Sequence, residues 1–420
     1  MPQEDLSQLP VIIPVGGEAK RLRPLTAEAS KAVVRIFNRP LVEFAMAQLA
    51  RQGVREFIFG AKGYINYRSL FDYFREGVGF SAQYRIRPRV HIRYQPRIDD
   101  AGSADSVRIL MEYYDIQKEF LVVQGDNLFQ LDLADLLQFQ RRTRAFMVVV
   151  LTAVDDVEAY GIADMDESGR IRKFVEKPSR EAAPSNMANT GIYLISPEIR
   201  TVFGETAIQG MIREGRLDFG LDMIPYLVGR HPVYGYRLRG DWQDVGTPKG
   251  YLNAVTGMLN RREKPKVYFG EPVPELPNVW IQGKSPDSIR RREEIVRKVM
   301  SKKIRFEGSV LIGRHCQVGD GAIIRDSSID HFCVVGRNVV IERSAIMDRA
   351  VIGEGASIQD SIVGRHVRIA STAQNPTWVM GLSVLGDDVE IGEGASLAST
   401  RVNPHRTVAR NADIQGQFIE

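Results

Sequence analysis

Two glycines, followed along the chain by two cations, are the first residues of this 420-residue protein whose types and spacing suggest chemistry. A strand-like apolar run leads directly into Gly16 and Gly17, which open the segment GGEAKRLRPLT (16–26). Glycines let backbone N–H groups approach a phosphate without a Cβ in the way. Arg21 and Lys31 can clamp phosphate oxygens. A glycine turn with a few solvated charges is the alternative, and the full segment favours a nucleotide cradle.

The segment resembles the signature of the sugar-1-phosphate nucleotidyltransferases, also called sugar-nucleotide pyrophosphorylases. The family pattern is Gly-Gly-x-Gly-Thr-Arg-Leu-x-Pro-Leu-Thr, followed by Pro/Ser-Lys. This chain keeps the residues Gly16, Gly17, Arg21, Leu22, Pro24, Leu25, Thr26, Ser30 and Lys31. It departs at Ala19 and Lys20, where the family has Gly-Thr. The resemblance implies that the glycines bind nucleotide and that Arg21 and Lys31 are catalytic.

Three later segments resemble the parts of the family that bind the base and the metal. YQPRIDDAGSADS (94–106) is similar to Gln-Pro-x-x-x-Gly-x-Ala with an insertion. The likeness implies that Gln95 reads the base edge and that Gly102 lets the backbone approach the base and ribose. The two metal-binding segments of the family resemble VVQGDN (122–127), which contains Asp126, and DWQDVGTPKGYLNA (241–254), which contains Asp244.

The sugar-binding segments of the family have counterparts in YG (160–161), VEKP (175–178) and SNMANTGIY (185–193). By this resemblance Glu176 bonds sugar hydroxyls and Lys177 holds the sugar phosphate. The pocket would be lined by Gly161, Asn189 and Thr190. Each segment alone also fits an ordinary turn or helix cap. These six matches, together with the glycine segment, stand in the right order over roughly 240 residues and favour membership of the family.

The chemistry itself fits these residues. The attacking oxygen of a sugar phosphate is already anionic, so the reaction needs no dedicated general base, and positioning with cation electrostatics is the main task. Asp126 and Asp244 can hold Mg²⁺, with phosphate oxygens completing its shell. Arg21, Lys31 and Lys177 supply fixed positive charge. We expect in-line attack on the α-phosphorus of an NTP, giving an NDP-sugar and pyrophosphate.

The choice of base and sugar stays open. Ser30-Lys31, Gln95-Pro96 and the Gly-Asp-Asn of residues 125–127 look most like glucose-1-phosphate thymidylyltransferases. This likeness favours dTTP or UTP with glucose 1-phosphate, and a mannose-1-phosphate guanylyltransferase that uses GTP is a close alternative. A non-catalytic, sugar-nucleotide-binding regulatory homologue is a further alternative, which the change at Ala19 and Lys20 suggests and the retained charged residues oppose.

Short apolar runs alternate with amphipathic helical stretches from residue 10 to about residue 258. This order is typical of an α/β layer built on a mostly parallel sheet. Together with the family resemblance, this order implies a Rossmann-like nucleotidyltransferase domain with a mostly parallel, mixed sheet over residues 1–258. Residues 259–305 are charged and rich in proline, and we predict a linker that includes a solvated helix over 285–303.

A 17-residue repeat begins after residue 305. Its aliphatic columns are Ile312, Ile329, Ile346 and Val363; Val318, Val335, Ile352 and Ile369; and Ile324, Ile341 and Ile358. Three inward aliphatics in each repeat predict a three-sided parallel β-helix over 306–420. The extension resembles the left-handed β-helix of hexapeptide-type repeats found in long members of the family. The columns break at 371–383, which predicts a projecting loop.

The β-helix is expected to assemble copies of the chain into a homo-oligomer, because a flat parallel face packs readily on its own copy. An acyltransferase activity based on a histidine is the alternative, and the histidines in question are His315, His331, His366 and His405. Solvated corner histidines are the simpler interpretation of these four residues.

Composition excludes several classes of protein. The net charge of only +4 does not favour nucleic acid or a membrane surface as partner. The cysteines are Cys316 and Cys333 alone, too few for a disulfide framework, so a reducing, cytoplasmic location is expected. The polar, acidic start does not fit a signal peptide, and the apolar runs are of strand length.

Overall fold

The computed structural model describes residues 5–17, 19–97, 99–261 and 264–420. These residues form two compact units. The second unit comprises Ala19–Pro40 and Asp244–Glu420, and the first comprises Leu41–Gln243 with the described residues before Ala19. Four residues within the predicted segments lie outside the described part of the chain, namely Glu18, Ile98, Arg262 and Glu263.

The chain up to residue 261 alternates strands with helices. The strands are β1 (Pro10–Val15), β2 (Arg35–Ile36), β3 (Arg39–Pro40), β4 (Glu56–Ala61), β5 (His91–Tyr94), β6 (Phe120–Val123), β7 (Asn127–Phe129), β8 (Met147–Ala153), β9 (Gly161–Met165), β10 (Ile171–Glu176), β11 (Met187–Ile195), β12 (Val233–Arg237) and β13 (Trp242–Asp244). The α-helices are α1 (Leu41–Arg51), α2 (Tyr64–Phe74), α3 (Val78–Tyr84), α4 (Ser103–Tyr113), α5 (Leu133–Thr143), α6 (Ile199–Phe203), α7 (Thr206–Arg213), α8 (Ile224–Val228) and α9 (Pro248–Asn260). Short 3₁₀ turns cover Leu6–Gln8, Lys20–Leu22 and Lys31–Val33, and a π-helix covers Phe219–Met223.

The first unit is built on a nine-stranded mixed sheet. Its main path runs β10-β9-β11-β6-β1-β4-β5, with β8 beside β11 and β12 beside β8. β1 pairs in parallel with β4 and β6, whereas β11 runs antiparallel to β6, β8 and β9. All six residues of β1 are buried, as expected of a parallel strand covered on both faces. The predicted α/β, Rossmann-like class is confirmed.

The second unit contains a left-handed parallel β-helix, as predicted. Three all-parallel sheets form its sides. The first sheet contains β14 (Val279–Ile281), β16 (Val310–Ile312), β19 (Ser328–Ile329), β22 (Ala345–Ile346), β25 (Ile362–Val363), β28 (Val384–Leu385), β31 (Arg401–Val402) and β34 (Phe418–Ile419). The second contains β15 (Arg305–Glu307), β18 (Ile323–Arg325), β21 (Val340–Glu342), β24 (Ser357–Gln359), β27 (Trp378–Met380), β30 (Ser396–Ala398) and β33 (Asp413–Gln415). The third contains β17 (Gln317–Val318), β20 (Val334–Val335), β23 (Val351–Ile352), β26 (Arg368–Ile369), β29 (Glu390–Ile391) and β32 (Thr407–Val408).

The 17-residue columns are the interior of the β-helix. Ile312 is in register with Ile329, and Ile329 with Ile346, on successive strands of the first sheet. The predicted aliphatic residues of all three columns belong to one buried cluster. Stacked aliphatic side chains remove apolar area from water at every coil, which stabilises the solenoid one repeat at a time.

The predicted loop over 371–383 is too long. β27 lies within it and continues the second sheet, with Val379 fully buried in register with Ile358. The next coils, at Leu397 and Ile414, follow in the same column. Most of the extra residues lie just before β27, since Val379 follows Ile358 by 21 positions instead of 17.

The predicted linker is partly built into the β-helix unit. β14 pairs with β16 as the first strand of a β-helix side. The charged helix is α11 (Pro286–Met300), and the Ser285 side chain accepts from the Ser288 N–H at its start. Ile295 of this helix is buried in the β-helix core. The helix therefore covers the first coils rather than standing free in solvent. The remaining helix of the predicted linker is α10 (Lys266–Phe269).

The compact units divide the chain differently from the predicted boundaries at 258 and 305. Residues 19–40 and 244–258 pack with the β-helix, whereas the prediction assigned them to the nucleotidyltransferase domain. The reason is a set of contacts between residues 19–40 and the coils, which sequence spacing does not reveal. In the part of the chain that the structure describes, no helix has the length and apolar character needed to cross a bilayer.

Candidate active site

The paired glycines lie at the end of a buried central strand. β1 leads into Gly16, and the Lys62 N–H at the end of the neighbouring β4 donates to the Val15 carbonyl at 2.9 Å. Gly17 adopts a left-handed backbone with φ of 83°, and no atom lies within 4 Å of the position a Cβ would take. The backbone here borders open space, as a phosphate-binding turn requires.

In the second unit, the cationic part of the signature meets the predicted metal ligand. Lys31 Nζ lies 3.7 Å from Asp244 Oδ1. Gly246 borders both Asp244 and Arg21, because a Cβ built there would lie 2.9 Å from both Asp244 carboxylate oxygens and 3.2 Å from Arg21 Nη2. The structure therefore gathers Arg21, Lys31 and Asp244 around Gly246.

Local sequence explains how Asp244 is held. It ends β13, and α9 begins four residues later at Pro248, a residue well suited to the first helical position. The Thr247 hydroxyl accepts from the Gly250 N–H at 3.0 Å and caps this helix. The Asp-Val-Gly-Thr-Pro segment is thus a helix cap as well as the carrier of a carboxylate. Metal binding by Asp244 stays a prediction.

Ala19 occupies a backbone position that suits glycine. Its φ of 44° and ψ of 43° are left-handed, a conformation that costs a residue with a Cβ roughly 1 kcal/mol or more. The Thr26 hydroxyl donates to the Ala19 carbonyl at 2.9 Å and closes the loop. The departure from the family pattern at Ala19 therefore adds backbone strain to this loop.

In the first unit, Glu176 is enclosed by two glycines. Gly161 pairs with Glu176 across β9 and β10, and a Cβ at Gly161 would lie 2.5 Å from Glu176 Oε2. A Cβ at Gly220 would lie equally close, also at 2.5 Å. Neither position leaves room for a side chain, so the Glu176 carboxylate can occupy its observed position only because both residues are glycine.

Burial raises the pKa of Glu176, and nearby Asp218 adds to the rise while Lys177 opposes it. Lys177 Nζ lies 3.6 Å from Glu176 Oε1, and its side chain is largely exposed. Lys177 has a left-handed φ of 47°, the kind of strain that collects at functional sites. A half-buried carboxylate beside an exposed cation can bond the hydroxyl and phosphate groups of one ligand.

Asn189 and Thr190 differ in what they offer a ligand. The Asn189 amide donates to the Tyr193 hydroxyl at 2.9 Å and accepts from the Gly191 N–H at 3.0 Å. The Thr190 hydroxyl is buried and donates to the Val150 carbonyl at 2.8 Å. Its role as a pocket residue stays a prediction, and its side chain is already used to hold β11 on β8.

The two residues predicted to form the base site, Gln95 and Gly102, make close contacts within the protein. Gln95 accepts from the Ser106 hydroxyl at 2.7 Å and donates to the Arg97 carbonyl at 2.7 Å. A Cβ at Gly102 would lie 2.7 Å from the Leu217 carbonyl oxygen. Close packing is therefore one reason for glycine at this position. Base recognition by either residue stays a prediction.

Asp126 lies in the turn between β6 and β7, half-buried. It acts with Asp218 and Glu176 to raise the pKa of Tyr193, although burial of that phenol is the main cause. The described residues contain no group of three or more metal-binding side chains. A partly buried carboxylate such as Asp126 suits Mg²⁺, which binds through one or two carboxylates and takes its other ligands from water and substrate phosphates.

Sequence reasoning missed Asp218 and Gly220. The Asp218 carboxylate accepts from the Ser103 hydroxyl at 2.7 Å and from the Gly220 N–H at 2.9 Å, at the start of the π-helix. Short π-helical segments occur frequently at functional sites. An acid two residues before a glycine in Asp-Phe-Gly was the available signal, and nothing in its spacing marked it out.

The β-helix histidines each have a structural partner. His315 stacks on Phe332 at 4.9 Å; His331 Nδ1 accepts from the Arg314 N–H at 3.1 Å; His366 Nδ1 lies 3.2 Å from Asp388 Oδ1; and His405 Nε2 lies 3.1 Å from Glu28 Oε2. Burial, with Arg314 next in effect, lowers the pKa of His331 to about 4. The acyltransferase alternative stays a prediction.

Comparison with known proteins places these features in a family context. A family model described as nucleotidyl transferase matches residues 10–261, and one described as the GMPPB C-terminal domain matches residues 306–419. The chain is 28% identical to a UTP–glucose-1-phosphate uridylyltransferase of Synechocystis sp. over 366 residues, which cover 84% of this chain and 87% of that protein. It is 25% identical to mannose-1-phosphate guanylyltransferase 1 of Arabidopsis thaliana over 383 residues, with 90% of this chain and 91% of that protein covered.

A solved structure shares the fold. It is a putative glucose-1-phosphate thymidylyltransferase from Bacillus anthracis in complex with a sucrose, with a TM-score of 0.53 and 22% identity. The match covers 62% of this chain and 98% of that one. Enzymes of the matched family typically use a divalent metal ion.

Proposed function

Since the chain belongs to the nucleotidyl transferase family and is a sugar-1-phosphate nucleotidyltransferase, we propose that it acts on dTTP or UTP together with glucose 1-phosphate. The products are an NDP-sugar and pyrophosphate. The observation that carries the proposal is the convergence of Arg21, Lys31 and Asp244 around Gly246. The two cations suit the phosphate oxygens of a triphosphate, and the carboxylate suits the metal ion proposed to accompany it.

The transfer is a single displacement at phosphorus. An anionic oxygen of the sugar phosphate attacks the α-phosphorus and forms a new P–O bond. The bond from the α-phosphorus to the bridging oxygen breaks, and pyrophosphate leaves with that electron pair. Arg21 and Lys31 hold the triphosphate and stabilise charge on the leaving group, the type of interaction that contributes most to such reactions. Gly16 and Gly17 bring backbone N–H groups to the phosphates.

Asp126 and Asp244 would hold Mg²⁺. When bound, this ion supplies positive charge to the phosphate oxygens. The chemistry of the donor set supports the assignment, since both ligands are carboxylates and both side chains are only partly exposed. Lys31 then serves two partners, Asp244 in the free enzyme and a phosphate oxygen in the complex.

The sugar phosphate is proposed to bind in the first unit. Glu176 accepts hydrogen bonds from sugar hydroxyls, and Lys177 binds the phosphate. Gly161 has no side chain and so leaves space in the pocket, which Asn189 and the Thr190 backbone line. Gln95 and Gly102 form the base site, where their tight packing in the protein supports a rigid base-binding edge.

A mannose-1-phosphate guanylyltransferase is the second candidate. The likeness to the Arabidopsis enzyme and the match of residues 306–419 to the GMPPB C-terminal domain favour it. A non-catalytic regulatory homologue, which Ala19 and Lys20 suggest, would bind sugar nucleotide without releasing pyrophosphate.

One assay separates these candidates. Purified protein with Mg²⁺ is tested for pyrophosphate release with dTTP, UTP, GTP, ATP and CTP against the 1-phosphates of glucose, mannose, galactose and glucosamine. We expect the fastest release with dTTP or UTP and glucose 1-phosphate. Fastest release with GTP and mannose 1-phosphate would favour the second candidate, and no release from any pair would favour the regulatory homologue. Replacing Mg²⁺ with Ca²⁺ or a chelator tests the metal.

We further propose that the β-helix joins copies of the chain and that the protein works in the cytoplasm, without nucleic acid or membrane as partner. Two free, buried cysteines support a reducing compartment. Sedimentation that gives a multiple of 47.2 kDa would support the oligomer, and a monomer at micromolar concentration would contradict it.

A further inference from the structure

The segment that carries Arg21 and Lys31 belongs by packing to the β-helix unit. Directly after Lys31 the chain forms a small hairpin from β2 and β3, defined here as the Arg35–Pro40 hairpin. Its two connecting residues, Phe37 and Asn38, have φ values of 52° and 60°. Both are left-handed, as in the tight two-residue turns that suit the twist of β-hairpins.

The turn is strained, and its contacts hold it in place. A bulky residue at φ above zero is uncommon and needs support from its surroundings. Phe37 is buried, with its ring centroid 5.1 Å from that of Phe269. Tyr251, which is buried on α9, donates from its hydroxyl to the Arg35 carbonyl. The hairpin is therefore anchored in the second unit at several points.

A buried carboxylate of the β-helix binds the tip of the hairpin. The Asn38 N–H donates to Asp330 Oδ2 at 3.1 Å. Arg35 Nη1 donates to Asn38 Oδ1 at 2.9 Å and lies 3.6 Å from Asp348 Oδ1. Two acids of the coils thus meet one backbone N–H and one guanidinium of the hairpin.

The coils themselves do not need an acid at position 330. At the equivalent positions 17 residues before and after it stand Gly313 and Met347. The backbone N–H of Asp330 donates to the Ile346 carbonyl at 2.8 Å as part of the ordinary coil ladder. Burying a carboxylate is unfavourable unless it gains a partner, and the hairpin supplies that partner.

We propose that Asp330 is a positioning residue for nucleotidyl transfer, which holds the Arg35–Pro40 hairpin and through it the cations Arg21 and Lys31. Asp330 itself touches no substrate. The inference rests on the roles proposed above for Arg21 and Lys31. It makes the β-helix a scaffold for the triphosphate-binding segment as well as a surface for assembly.

Two further contacts from later coils reach the same segment. Arg401 Nη1 donates to the Arg21 carbonyl at 3.4 Å, and His405 Nε2 lies 3.1 Å from Glu28 Oε2. Both contacts are exposed, so we expect each alone to contribute little. Asp330, in contrast, is buried, so we expect the loss of its contact with the hairpin to have the largest effect of the three.

The test compares Asp330→Ala with Asp326→Ala in the full-length protein. Asp326 is the matched control, because its Oδ1 also accepts a backbone N–H, at 2.9 Å, but from Ser309 of the neighbouring coil rather than from the hairpin. We expect Asp330→Ala to raise KM for the NTP about 10-fold or more and to leave KM for the sugar phosphate unchanged, since misplaced binding groups cost affinity and rate. Asp330→Asn keeps an oxygen that can accept from Asn38 and should restore KM to within about 2-fold.

A double-mutant cycle with Lys31→Met separates positioning from stability. We expect the effects of Asp330→Ala and Lys31→Met on kcat/KM to fall short of additive, and those of Asp326→Ala and Lys31→Met to add. If Asp330→Ala does not fold, Arg35→Met replaces it, since Arg35 is partly exposed and its loss breaks the contacts to Asn38 and Asp348.

The outcomes distinguish the two proposals. Wild-type protein that releases no pyrophosphate, or Lys31→Met with wild-type KM for the NTP, would overturn the proposed function or the role of Lys31. An active wild type whose NTP KM does not change in Asp330→Ala, or changes equally in Asp326→Ala, would overturn the positioning role alone.

Discussion

Lys31 Nζ and Asp244 Oδ1 lie 3.7 Å apart, and both side chains are mostly buried, at 15% and 17% exposure. A cation and an acid that are distant in sequence thus meet in the site proposed for the triphosphate and its metal ion. At this burial the pair is less screened than a surface ion pair. Lys31 can therefore exchange the Asp244 carboxylate for another anionic group, and Asp244 can exchange the Lys31 ammonium for another cation.

Lys31→Met tests the cationic half of this pair. Removal of a fixed positive charge should lower kcat/KM for the NTP on the order of 10²-fold, by analogy with other deleted charge stabilisers. Initial rates of pyrophosphate release at varied NTP measure the effect. Lys173→Met, at an exposed position on β10, is the matched control and should leave the rates unchanged. Equal rates in both variants would contradict the assignment of Lys31.

Asp126→Asn tests the metal assignment in the first unit. An amide is a weaker ligand for Mg²⁺ than a carboxylate, so we expect kcat to fall on the order of 10²-fold or more. The Mg²⁺ concentration for half-maximal rate should also rise. Asp155→Asn changes an exposed acid of the same unit and serves as control. An unimpaired Asp126→Asn enzyme would remove Asp126 from the list of metal ligands.

Gly161→Ala tests the sugar pocket. The added Cβ would lie 2.4 Å from Phe174 Cζ and 2.5 Å from Glu176 Oε2, so the carboxylate must move. We expect KM for the sugar phosphate to rise about 10-fold and KM for the NTP to stay the same, because the loss concerns one substrate. Gly210→Ala, where the added methyl meets open space, is the matched control. A shift in NTP KM instead would place Gly161 outside the sugar site.

Asp330→Asn should change how stability depends on pH. Burial, with Asp348 next in effect, raises the pKa of Asp330 to about 7 from 3.8 in the unfolded chain, although Arg35 opposes the rise. Between about pH 4 and pH 7 the folded protein keeps a proton that the unfolded chain releases. The stability that the protonated carboxyl contributes is therefore fully present below about pH 4 and is lost as the pH rises to about 7. Asparagine does not titrate, so its advantage over wild type should grow from pH 5 to pH 8, to about 4 kcal/mol at most.

Thermal or denaturant unfolding at pH 5, 6, 7 and 8 measures this difference. The control is Asp326→Asn, which replaces an acid by its amide at another corner of the coil. A constant difference between Asp330→Asn and wild type across this range would mean that Asp330 does not titrate there.

The 17-residue columns show what sequence can predict well. Ile312, Ile329 and Ile346 repeat because each coil must fill the same interior point, so local spacing carries the three-dimensional pattern. The same rule explains the error at 371–383. Extra residues before β27 shift the count, although Val379 returns to the column at once. A periodic signal locates the core but not the length of an insertion.

The active-site residues divide in a similar way. Arg21, Lys31 and Asp244 were predicted because they stand in compact segments that resemble the family motifs, and the structure brings these three residues together, although their roles stay a prediction. Asp218 and the Asn38–Asp330 contact were missed. The latter joins residues 292 positions apart, and neither has a neighbour in sequence that marks its purpose. Such contacts depend on packing, which periodicity does not encode.

The placement of residues 19–40 with the β-helix has a consequence for protein engineering. A chimera made by exchanging everything after residue 258 between two relatives would join one parent's hairpin to the other parent's coils. Asn38 would then face whatever residue the new coil offers at the position of Asp330. A working graft must therefore carry two pieces of sequence, Asp244–Glu420 and the short stretch Ala19–Pro40, and the junctions belong at the ends of both.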